Sequence, residues 1–141
     1  MTMRTLIAAW LVCASAAAAP VPKELKRDDA ARLVGEWQTV RSEFNGREYI
    51  KDYLIFTRDT VNWKPQKDGA DYLWKLTLDP TASPKEFQIV MSGNMNITYS
   101  GLYKLDGDRL TLVCKQNAKP DGFTSENGTY YHELVRVPGA K

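Results

Sequence analysis

From Glu36 onward, apolar and polar residues alternate with period 2 in short runs, the spacing that puts successive side chains on opposite faces of an extended strand. Residues 36–44 read as the first strand. Asn45-Gly46 reads as a hairpin turn, because both residue types tolerate the positive φ of a type I′ turn. Residues 53–57 and 60–64 then form a hairpin across Arg58-Asp59. After a turn at Lys67-Asp68-Gly69, residues 72–78 place Tyr72, Trp74, Leu76 and Leu78 on one face and Lys75 and Thr77 on the other, as in a sheet with one buried side.

The two prolines of Asp79-Pro80-Thr81-Ala82-Ser83-Pro84 cannot donate to a ladder, so this stretch is a loop. Strands over residues 86–91 and 97–105 follow, with a turn around Gly93-Asn94 between them. Asp106-Gly107 turns the chain into a strand over residues 109–115, and a longer loop, 116–128, leads to a last strand over 129–137. Gly101 within its strand predicts a bend or bulge. Ahead of the strands, Asp28 or Asp29 can cap a short helix through Ala30, Ala31, Arg32 and Leu33, with Gly35 where the helix stops.

One short helix and about eight strands imply an all-β sandwich or barrel. Next-neighbour hairpins with no long crossover favour an antiparallel up-and-down barrel, which leaves no exposed sheet edge. Eight strands enclose a space that is either filled by side chains or holds one small ligand.

Residues 1–18 have the layout of a signal peptide: Arg4, an apolar run over residues 6–12, then small residues with Ala16 and Ala18 flanking a cleavage point after Ala18. The apolar run is too short to span a bilayer, so the expectation is an exported chain with no transmembrane segment after cleavage. Residues 19–28, with Pro20 and Pro22, read as a tether, and residues 29–141 as one barrel domain. Removing residues 1–18 leaves 123 of the 141 residues, with 18 basic and 17 acidic side chains. That balance supplies no basic stripe for nucleic acid and no polybasic membrane patch. Cys13 leaves with the signal, so Cys114 has no disulfide partner in the mature chain.

Three segments stand together in order: Leu33-Val34-Gly35-Glu36-Trp37, with its Gly-x-Trp; Ser83-Pro84-Lys85-Glu86-Phe87 after Asp79-Pro80; and the block from Gly101-Leu102-Tyr103-Lys104-Leu105 to Leu112. They resemble a lipocalin-like domain family of small exported bacterial proteins of unknown function. Where members carry an Arg-Pro pair followed by Phe, this chain has Lys119-Pro120 and Phe123. The resemblance implies a lipocalin-like barrel from about Leu33 to the C-terminus, and implies no activity.

Candidate chemistry is sparse. His132 could approach Cys114 if the last two strands pair, and a Cys/His couple can activate a thiolate. Cys114 nevertheless follows Leu110 and Leu112 on one strand face, as a small core residue does. One histidine and one mature cysteine do not make a zinc site, and Asp106-Gly107-Asp108 is too short for a calcium loop. No phosphate-binding or hydrolase motif is present, so neither enzyme, metal nor cofactor is expected.

Aromatic residues are the more informative feature. Trp63, Trp74, Tyr99 and Tyr103 are candidates to line a pocket for a small, partly apolar molecule. Trp37 and Gly35 are expected to be structural, with Trp37 closing the barrel base beneath the helix. The alternative function is a protein-interaction or structural module at the cell envelope with a filled interior.

Overall fold

The computed structural model describes residues 28–65, 70–93 and 97–139. The expected signal peptide, tether residues 19–27, the Lys67-Asp68-Gly69 turn and Asn94 lie outside the described residues. The helix α1 (Asp29–Leu33) is capped by Asp28, whose side chain accepts from the amide of Ala31 at 3.2 Å. Nine strands follow: β1 (Gly35–Phe44), β2 (Arg47–Glu48), β3 (Tyr53–Phe56), β4 (Thr60–Lys64), β5 (Tyr72–Asp79), β6 (Glu86–Met91), β7 (Thr98–Asp106), β8 (Arg109–Gln116) and β9 (Thr129–Arg136).

Every pairing is antiparallel and, apart from the two-residue β2 beside the end of β1, each barrel strand lies next to its sequence neighbours. Pairing of β1 with β9 closes the sheet into an eight-stranded up-and-down barrel. Asn45 and Gly46 have φ of 50° and 72°, so the expected type I′ turn forms with Phe44 opposite Arg47. The β7–β8 hairpin turns one residue later than expected: Asp106 and Arg109 are partners, which leaves Gly107 and Asp108 as the turn.

Inward side chains make one core, including Phe56, Val61, Trp74, Leu76, Phe87, Leu110 and Leu134. At the base, α1 plugs the barrel with Leu33, and Trp37 is fully buried beneath it, its Nε1 donating to the Leu33 carbonyl at 2.8 Å. Gly35 joins the helix to β1 at φ 131°. Arg136, the cross-strand partner of Trp37, lays its guanidinium 4.3 Å from the centroid of the indole. The same side chain donates to the carbonyls of Val34 at 2.8 Å and of Arg32, and to Asp108 Oδ1 at 2.9 Å.

One expectation about the strands needs correcting. Gly101 marks neither a bend nor a bulge: it pairs in unbroken register with Phe87 on one side and Cys114 on the other. Its lack of a side chain is used for close packing, since a Cβ there would stand 2.3 Å from the Val113 carbonyl oxygen and 2.4 Å from the Phe87 ring. The bulge lies instead in β1, between Thr39 and Arg41.

The long loop before β9 runs over the outside of the barrel. Ser125 accepts from the Gly46 amide and donates to Glu43 on β1; Phe123 lies 4.2 Å under the Lys104 ammonium on β7; Lys119 pairs with Glu86 on β6. The outward-facing Leu102 and Val113 are buried even so, a second small apolar layer outside the sheet. No helix among the described residues is long and apolar enough to cross a membrane.

Candidate functional site

The barrel interior holds a cavity of about 210 Å³ that is partly open to the outside. Trp63 on β4, Trp74 on β5 and Tyr99 and Tyr103 on β7 come from three different strands, and the fold brings all four to this one space. Trp74 and Tyr99 meet edge to face at 5.6 Å, and the series continues through Tyr130 at 5.9 Å to Tyr49 at 5.5 Å. Tyr103 presents only its ring to the cavity. Its hydroxyl, deep at the helix end, donates to Asp29 Oδ2 at 2.9 Å, beside the Lys85 ammonium at 2.6 Å.

One wall of the cavity is polar, and the β1 bulge builds it. With strict alternation Ser42 would face solvent when Thr39 faces inward; the extra residue, Val40, turns Arg41 outward and Ser42 inward. On β3, the inward series Leu54 and Phe56 extends back to Asp52, which has no exposed surface. The Thr39 amide donates to the Asp52 carbonyl at 3.0 Å and its hydroxyl donates to Oδ1, while the Trp63 indole N–H donates to Oδ2. A buried carboxylate is thereby held by donors at both oxygens.

His132 completes the wall from β9, opposite Ser42 in the ladder. Its Nδ1 lies 3.1 Å from Ser42 Oγ and 3.8 Å from Asp52 Oδ1. Burial pushes the imidazole below its ordinary value and the Asp52 charge opposes that shift without cancelling it, so the ring is neutral at pH 7. Ser42 and Asp52 approach the same ring nitrogen. A nucleophile relay needs the hydroxyl on one nitrogen and the acid on the other, so this trio is not arranged as a Ser-His-Asp triad.

Cys114 faces the cavity from β8, and its cross-strand partner is Tyr130 rather than His132. Burial, reinforced by the Asp52 charge, pushes its thiol up to about 12 and keeps it protonated. The remaining lining is apolar: Leu54, Phe56, Leu76, Phe87 and Leu112 among others. Among the described residues no group of three His, Cys, Asp or Glu side chains could hold a metal ion.

Comparisons with protein-family models, with curated proteins and with solved structures return no match to this chain.

Sequence reasoning missed Asp52, Thr39 and Ser42. The one available signal was the period itself: counting back by two from Phe56 through Leu54 places Asp52 on the core face. Nothing local marks the bulge that brings Ser42 to it.

Proposed function

We propose that this chain is an exported, lipocalin-like carrier that binds one small, largely apolar molecule inside the barrel and performs no chemistry on it. The observation that carries this reading is the interior cavity itself, apolar and aromatic on most sides with a few fixed polar groups, the usual character of a small-molecule site. An apolar cavity of about 150 Å³ is enough to hold benzene. At about 210 Å³ the barrel has room for a single substituted ring and falls below the roughly 300–1,000 Å³ of sites for larger ligands. A protonated thiol and a histidine without a relay geometry support binding over turnover. Export rests on the signal-like residues 1–18, and the lipocalin-like family on the three sequence blocks.

Native mass spectrometry of the mature protein from an exporting host tests the reading. The expected result is an added mass of one small molecule, lost on denaturation and absent from a cavity-filling Cys114→Phe variant. A bare protein mass, together with no uptake of benzene-sized probes at millimolar concentration, would overturn it.

A further inference from the structure

The two sides of the cavity differ in a way that points to a ligand class. Among its described lining residues Asp52 is the one carboxylate, and there is no Lys or Arg. An anionic ligand entering this space gives up its hydration, meets no cation and approaches a buried acid; like charges in a water-poor interior repel strongly. Carboxylate amphiphiles are therefore disfavoured by the lining itself.

His132 supplies the positive selection. Its ring is fixed from the wall side, with Nδ1 held at 3.1 Å from Ser42 Oγ and 3.8 Å from Asp52 Oδ1. Asp52 accepts hydrogen bonds from Thr39 and Trp63 at its two oxygens, so it presents its negative end to the imidazole and favours the proton on Nδ1. Nε2, the distal atom of an inward-facing side chain, then carries the lone pair and has no hydrogen-bond partner among the described residues. An acceptor left open on a lining residue takes a hydrogen bond from a ligand that donates.

We propose that the cavity selects small uncharged molecules bearing a hydroxyl, a phenol or a compact alcohol, that donates a hydrogen bond to Nε2 of His132, and that it rejects carboxylates of the same size. The proposal rests on the carrier reading above and adds the ligand's chemistry to it. The apolar rings on the far side, Trp74, Tyr99 and Phe87, take the hydrocarbon part, while the polar wall reads the hydroxyl.

Three probes on one methylbenzene frame, differing in the group opposite the methyl, test it by titration calorimetry at pH 7.5: p-cresol, toluene and 4-methylbenzoate. The expected order is p-cresol at least about tenfold tighter than toluene, with 4-methylbenzoate weakest. His132→Phe should bring the p-cresol to toluene ratio close to one while toluene still binds. Because His132 is the only histidine of the chain, the imidazole nitrogen signals of the unmodified protein provide a readout that needs no variant. They should show the proton on Nδ1 and a shift at Nε2 when p-cresol binds.

A proton on Nε2, or tightest binding of 4-methylbenzoate, overturns the proposal. Toluene bound as well as p-cresol also overturns it while leaving the carrier reading intact. Failure of all three probes to bind at millimolar concentration removes both.

Discussion

Thr39 and Ser42, three residues apart on β1, both point into the barrel and end on the same cluster, Thr39 on Asp52 and Ser42 on His132. The bulge at Val40 is what allows it. The two hydroxyls should not be worth the same. Thr39→Val removes a donor from a buried carboxylate and should cost about 1.5–3 kcal/mol, whereas Ser42→Ala removes a bond to a neutral imidazole and should cost about 1 kcal/mol. Urea unfolding of the two variants checks the order, and equal costs would mean that Asp52 does not depend on Thr39.

Trp37 is fully buried, hydrogen-bonded to Leu33 and covered by Arg136. Trp37→Ala should lower stability by about 3–5 kcal/mol in urea unfolding, the cost of opening a large cavity at the barrel base. A loss below about 1 kcal/mol would refute its role as the plug under the helix.

Gly101 offers a sharper test of packing. The Phe87 ring can rotate away from an added methyl group, but the Val113 carbonyl, 2.3 Å from the added Cβ, belongs to the ladder and cannot. Gly101→Ala should therefore cost about 3 kcal/mol, at the upper end of overpacking effects. Phe87→Leu in the same chain should fail to restore it. Recovery would show the ring to be the sole obstacle.

His132 predicts a pH dependence. Burial holds the folded imidazole below the ordinary value of 6.5, so the unfolded chain binds the proton more readily. Stability is complete above 6.5 and falls as the pH drops below it, by no more than about 1.4 kcal/mol per pH unit. Burial alone would push the Asp29 carboxyl up; the hydrogen bonds from Lys85 and Tyr103 and the nearby Lys85 and Arg32 charges outweigh it and hold the group below 3.8. Its own loss of stability therefore belongs to a more acidic range. Urea midpoints at pH 7.5 and 5.5 should differ for the natural chain and differ much less for His132→Phe.

Much of the barrel was legible because its signals are local. The Asn45-Gly46 turn, the strand alternation around Trp74 and Leu76 and the capped helix at Asp28 each depend on residues within a few positions of one another. The pocket aromatics could be listed from the same alternation. The polar wall could not, for a physical reason: Asp52 is satisfied by residues 13 and 11 positions away, across two different strands. A bulge residue such as Val40 is unpaired and 45% exposed, and so carries no compositional mark. The outer loop was expected as a loop, but its course over β6, β7 and the end of β1 is set by Lys119, Phe123 and Ser125 reaching partners that only the closed barrel brings near.

Arg136 is the last residue of the last strand, yet it supplies donors to the carbonyls of Arg32 and Val34, covers Trp37 and pairs with Asp108. The helix therefore gains this part of its anchorage, the hydrogen bonds at its C-terminal end, only when β9 has been laid beside β1. Pairing over so long a separation is costly in chain entropy and slow to form. A chain stopped short of residue 136 should therefore keep its helix tied to Lys85 and Tyr103 through Asp29, yet leave Trp37 uncovered and the sheet open between β1 and β8.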